Sequence, residues 1–234
     1  MLNIKQLIDE LQKIKGKGFI KTTHPHQGGV GNTLETLLGI KENNLRIPDL
    51  GVVELKAKRI NSNSMLTLSS KSPLPRGTNR RIFEFLKRLG DDGIYRLYTT
   101  VYGSRKNNRG LRVFIENSKL ILVNPANEEA YWILEILDDV LKKGTQKVLL
   151  VLAETKGKLG SKREMFHYTE AYLLSGLNFK NLKYAIEHDK LLIDIRIGAD
   201  LHGKAAGKYH DHGTGFRIHK KDYLQLFEKH EKLI

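Results

Sequence analysis

Pro48-Asp49-Leu50-Gly51-Val52-Val53-Glu54-Leu55-Lys56 sets an acidic residue on a turn and then a second acid and a lysine alternating with apolar residues. Side chains on a strand alternate faces, so Glu54 and Lys56 project to one side while Val53 and Leu55 enter a core. Asp49 sits just before, on the entering turn. Carboxylates so placed can hold one or two Mg²⁺ ions through oxygen ligands, and the lysine ammonium can orient or deprotonate a water. Metal-assisted phosphodiester cleavage uses this arrangement, the cation offsetting charge on the leaving oxygen. Glu-Leu-Lys alone equally fits an ordinary edge strand bearing an exposed ion pair, so the motif depends on its context.

The rest of the chain supplies context. At 234 residues it is long enough for one large domain or two lobes. Lys+Arg 40 against Asp+Glu 26 gives a net charge of +14. That excess favours a polyanionic partner, because each cation placed on a phosphate releases counterions. A merely basic soluble protein carries the same charge, and an acidic membrane is the weaker choice because no long basic amphipathic helix stands out. Without cysteine, disulfides and thiolate zinc sites are excluded. The opening residues 1–11 read as an amphipathic helix rather than a signal peptide. No apolar run approaches a membrane span, and a cytoplasmic location is expected.

Periodicity predicts a helix over 2–15, ended by Gly16 and Gly18, and a short helix over 34–38. The glycine-rich loop 22–31 lacks a following Gly-Lys-Ser/Thr, which disfavours a nucleotide-triphosphate cradle. After the strand 49–58, the alternating run 64–70 is expected to pair beside it. Lys71 to Arg81 is a basic, proline-bearing loop in which Lys71 and Arg76 suit a backbone phosphate or plain solvent. A helix over 82–89, a strand over 95–102, and a hairpin of 111–115 with 119–123 across Asn117-Ser118 follow. A helix over 128–142 ends at Gly144, and 147–154 is a nearly continuous apolar strand, which argues burial on both faces. Helices are expected over 164–174, 179–188 and 222–232, with strands over 191–197 and 214–218. The order is mixed α/β (α+β), without regular βαβ alternation.

Asp194 and Arg196 lie two apart on a strand and share a face, opposite Ile193, Ile195 and Ile197. Arginine can donate twice to guanine and aspartate can accept from cytosine; an intramolecular ion pair on a solvent face is the alternative. Lys204, Lys208, His210, Asp211, His212 and Arg217 crowd a stretch punctuated by Gly207, Gly213 and Gly215, which lets backbone approach a ligand. The His-x-His pair lacks an obvious third ligand, so groove contacts or surface histidines fit better than zinc. The aromatic residues are scattered, which does not suggest single-strand stacking.

These pieces together resemble the MvaI/BcnI family of type II restriction endonucleases, with a MutH-like version of the PD-(D/E)xK nuclease core. The likeness runs through Gly-Val-Gly-Asn-Thr-Leu-Glu35, Glu42-Asn-Asn44, Pro48 to Lys56, Leu66-Thr-Leu68, Lys71-Ser-Pro73, Val148 to Glu154, Asp194 to Gly198 and His210 to Ile218. Each piece is weak, but the ordered set is specific, and its last two are closer to the MvaI branch. The resemblance implies a mixed sheet flanked by helices, with Asp49 and Glu54 binding the metal, Lys56 acting on the water and Glu35 as a supporting carboxylate. It implies that Arg196 and Arg217 read guanines, helped by Asp194 and the His210-Asp211-His212 loop. It also implies a monomer that cuts duplex DNA at a CC-N-GG pentanucleotide one strand at a time, beside a companion methyltransferase. Where the BcnI branch carries a histidine after the Leu-Thr-Leu strand, this chain has Ser69-Ser70, so a central A·T pair is expected.

The expected division is a catalytic lobe over 1–144 and a DNA-recognition lobe over 145–234, with duplex DNA in the cleft between them. The competing readings are a MutH-like mismatch-repair nicking enzyme and a DNA-binding protein without catalysis. The latter leaves Asp49 and Glu54 repelling the phosphate backbone unless a cation intervenes.

Overall fold

The computed structural model describes residues 4–40, 53–135, 137, 147–177, 179–199 and 207–234. The chain divides into two compact units. One comprises Met1–Ser64, Lys142–Asn178 and Phe227–Ile234; the other comprises Met65–Leu141 and Phe179–Leu226. This interleaving departs from a single cut near Gly144, and sheet pairing is the reason.

In the first unit, helix α1 (Ile4–Gly16), strand β1 (Ile20–Lys21), helix α2 (Gly29–Leu37) and strand β2 (Glu54–Arg59) are joined by β9 (Lys147–Lys156), β10 (Met165–Leu177) and β13 (Phe227–Lys232). β9 pairs parallel with β2 and antiparallel with β10, and β10 takes β1 and β13 as further antiparallel partners. The sheet is therefore mixed. Val148 to Ala153 are all buried, as their unbroken apolar run requires of a strand covered on both faces. Leu7, Leu11 and Ile14 of α1 and Val30 and Leu34 of α2 pack with Val53, Leu55, Leu149 and Val151. Burying such side chains contributes about 1.5–3 kcal/mol each.

The second unit holds β3 (Leu66–Ser70), α3 (Thr78–Leu86), β4 (Arg88–Leu89), β5 (Tyr95–Val101), β6 (Arg112–Glu116), β7 (Lys119–Val123), β8 (Tyr131–Ile133), a helix at Phe179–Glu187, β11 (Leu191–Ala199), β12 (Tyr209–Ile218) and a short helix at Lys220–Tyr223. One sheet runs β3-β12-β11-β5-β4 and a smaller one β6-β7-β8. The hairpin between β6 and β7 turns on Asn117 (φ 45°) and Ser118 (φ 60°), the paired positive φ that a two-residue type I′ turn needs.

Several elements differ from expectation. The run ending at Ser70 pairs with β12 rather than beside β2. The helix expected over 128–142 begins with strand β8, and most of its remainder lies outside the described residues. The segment expected as helix 164–174 is strand β10. Its buried Tyr168, Ala171, Leu174 and Leu177 recur every third residue, a spacing that imitates a helix, and a bulge between Tyr168 and Glu170 shifts the strand alternation. Phe227–Lys232 is a strand despite its helix-forming Glu and Lys. Pairing with β10 overrides propensity there, and exposed charges suit an edge strand.

Candidate active site and DNA-reading face

Glu54 and Lys56 share one side of β2, and Lys56 Nζ lies 2.5 Å from Glu54 Oε1, both side chains half-buried. Their neighbours Val53 and Leu55 point the other way into the α1–α2 core. Among the described residues, β2 has β9 as its only strand partner, so the acid and the lysine stand on the edge of the sheet. Lys58, next on the same side, turns its amine to the carbonyl and hydroxyl of Ser64. A half-buried carboxylate held by a lysine is a hard oxygen donor of the kind Mg²⁺ accepts. Asp49 lies outside the described residues, and among those described no three metal-binding side chains gather. Glu54 thus fits the part of one ligand.

The far end of β2 is anchored by side chains that the sequence did not single out. Arg59 Nε and Nη2 donate to the Glu164 carboxylate at 2.6 and 2.9 Å, and its Nη1 donates to the Gln27 carbonyl at 2.7 Å. Both side chains of this bidentate pair are buried, at 7% and 2% exposure. Burial works to push the Glu164 carboxyl up, but the Arg59 hydrogen bond and the Gly160 amide outweigh it and hold it below the usual glutamate range. The Tyr168 hydroxyl donates to the Val30 carbonyl at 2.8 Å. Burial raises its pKa first, with the nearby Glu164 and Glu35 carboxylates adding to the shift and Arg59 opposing it. The structure therefore places Glu35, on α2, beside this buried cluster.

In the second unit, Asp194 on β11 is fully buried and accepts from Arg196 Nε and Arg217 Nη1, each at 2.8 Å. Thr100 Oγ1, opposite it on β5, donates at 3.2 Å. The ion pair held as the alternative is thus present, and β12 adds a second arginine to it. A carboxylate with no exposure faces no base edge, so Asp194 orients the arginines. These keep 38% and 34% exposure and retain donors for a ligand. Arg196 also sits over the Tyr98 ring, its guanidinium carbon 5.5 Å from the centroid.

Asp211 is likewise engaged internally, accepting from Asn79 Nδ2 at 3.0 Å and from the Gly213 amide at 2.8 Å. Asn79, on α3, also donates to Thr214, so α3 braces the start of β12. Arg76 and Lys208 are exposed, while Lys71 and His210 are half-buried. The Lys71 backbone is tied down by its amide to Thr214 and its carbonyl to Trp132 Nε1. Lys204 and the His212 side chain lie outside the described residues.

A model of the MvaI/BcnI restriction endonuclease family matches residues 8–227. The chain belongs to this family. Among solved structures, the restriction endonuclease MvaI–cognate DNA substrate complex is similar over 100% of both chains, with a TM-score of 0.86 and 29% identity. Restriction endonuclease MvaI in the absence of DNA is similar over 100% of this chain and 99% of that one, with a TM-score of 0.59 and 29% identity. No curated protein matches. This MvaI/BcnI-family chain is therefore a site-specific DNA nuclease, which sets aside both the mismatch-repair nicking enzyme and the binder without catalysis. Among its described residues no helix is long and apolar enough to cross a membrane.

Proposed function

We propose that the chain is a Mg²⁺-dependent type II restriction endonuclease. It cuts double-stranded DNA at a CC-N-GG pentanucleotide with a central A·T pair, acting as a monomer that nicks one strand at a time beside a methyltransferase of the same specificity. The observation that carries this reading is the Glu54–Lys56 pair on the edge strand β2 of a chain whose family cuts DNA. That MvaI has been solved on its cognate DNA substrate supports a duplex as the ligand here.

Asp49 and Glu54 would hold the cation, with Glu35 in support. When bound, a divalent cation stabilises charge on the phosphate and the leaving oxygen. Lys56 positions the attacking water and takes up or releases a proton at Nζ, while Glu54 holds that amine in place at 2.5 Å. Arg196 and Arg217, fixed by one buried carboxylate, each present a fork that matches guanine O6 and N7. Lys71, Arg76, Lys204, Lys208, His210, Asp211 and His212 are assigned to the neighbouring DNA, Asp211 acting through the β12 backbone that it braces.

An odd-length site has a central pair that breaks two-fold symmetry. A single catalytic centre then serves the strands in turn. Supercoiled plasmid incubated with Mg²⁺ should pass through an open-circular form before becoming linear, and should stay intact in EDTA. Direct conversion to linear product would contradict one-strand action, and cleavage in EDTA would contradict the metal.

A further inference from the structure

The segment between β5 and β6 carries no motif in its sequence, yet side chains hold it at both ends. Asp189 holds its beginning. Its Oδ1 accepts from the Gly103 and Ser104 amides at 2.9 Å each, and its Oδ2 accepts from the Ser104 hydroxyl and from Arg105 Nη1 at 2.7 Å. Asp189 adopts φ 55° to do so, a left-handed conformation uncommon for a residue other than glycine. Burial would raise its carboxyl pKa, but the hydrogen bonds from Ser104 and Gly103, with the Arg105 charge, keep it lowered.

Asn107 holds the other end. Its Nδ2 donates to Thr99 Oγ1 and the Thr100 carbonyl at 3.0 and 2.8 Å, while its Oδ1 accepts from the Arg109 and Leu111 amides at 2.9 and 3.0 Å. Lys106 is left exposed between the braces. Among the described residues, its amine pairs with no carboxylate. Arg105 lies over the Tyr102 ring, 4.0 Å from the centroid, with its charge partly met by Asp189.

This loop and the exposed face of Arg196 line the same polar cavity of about 530 Å³, with Tyr98, Thr100 and Tyr102. With the loop backbone already held at both ends, only the lysine side chain has to be ordered when it meets a ligand. Phosphate contacts of this kind set a protein's register on the duplex and carry no sequence information themselves.

From this geometry we infer that Lys106, on the loop fixed by Asp189 and Asn107, binds a backbone phosphate of the DNA strand next to the guanine read by Arg196. The inference rests on the reading of Arg196 as a base contact, and its test separates the two. Binding of the Lys106→Ala, Lys106→Arg and Arg196→Ala proteins is measured in EDTA over a range of salt. The probes are a duplex containing the sequence the enzyme cuts and a duplex of equal length lacking it.

Lys106→Ala should melt like the parent and weaken binding to both duplexes by a similar factor, on the order of several-fold. Its log–log salt slope should fall by about 0.9, and Lys106→Arg should restore both quantities. Unchanged affinity and slope would overturn the inference, and so would a loss confined to the cognate duplex, since that marks a base contact. Arg196→Ala tests the base reading separately: it should lose preference for the cognate duplex, whatever Lys106 does.

Discussion

Asp194 joins Arg196 and Arg217 through a single oxygen, Oδ2, 2.8 Å from each, and no part of the aspartate reaches solvent. The arginines come from adjacent strands, β11 and β12, so the buried charge sets the angle between two half-buried guanidinium groups. Arg217 Nε is buried and has no hydrogen-bond partner among the described residues, so the exposed part of that group is its outer end.

Asp194→Asn removes the charge while keeping the shape. Both arginines lose their common anchor, and a well-placed bidentate arginine–guanine contact is worth about 1–3 kcal/mol of discrimination. The variant should therefore lose specificity at more than one guanine position while its affinity for unrelated DNA holds or rises, because the face becomes more positive. Binding to a set of single-substitution duplexes measures this. A loss restricted to one position would mean that the arginines are oriented independently.

Lys56 stands 2.5 Å from Glu54 on a strand whose other face is core. Lys56→Ala should fold normally and bind its cognate duplex nearly as well as the parent, with cleavage abolished. Single-turnover cleavage set beside equilibrium binding checks it, and parallel loss of the two would assign the lysine to DNA binding instead.

Glu164 sets an acid limit on the first unit. Its folded pKa is lowered, so the stability it contributes is fully present above the ordinary glutamate value of about 4.5 and is lost as pH falls through the folded value. Glu164→Gln leaves Arg59 buried without its counter-charge, which costs about 3–5 kcal/mol at neutral pH. Urea melts should show the variant weaker at pH 7 and converging on the parent only as pH falls below the ordinary glutamate value and through the lowered folded one. A constant difference across that range would mean that the ion pair is not the source of the loss.

Patterns carried by neighbouring residues were legible in the sequence. The alternation at 53–56 put Glu54 and Lys56 on one side, the unbroken run after Lys147 gave a strand buried on both faces, and Asn117-Ser118 gave a hairpin turn. Relations that sheet pairing creates were not legible. Arg59 meets Glu164 across 105 positions and Asn79 meets Asp211 across 132, with nothing local to announce either. Arg217 reaches Asp194 only through the register of β11 and β12, which is shifted between Ile195 and Ile197. The bulge in β10 gives its buried residues the spacing of a helix, which hides the strand in the sequence.

The most direct test is to incubate the purified protein with plasmid DNA and Mg²⁺ and sequence the ends it makes. Every end should fall within a CC-N-GG pentanucleotide with A or T at its centre. Ends scattered without a common sequence, or gathered at an unrelated one, would contradict the assignment of Arg196 and Arg217 to guanine.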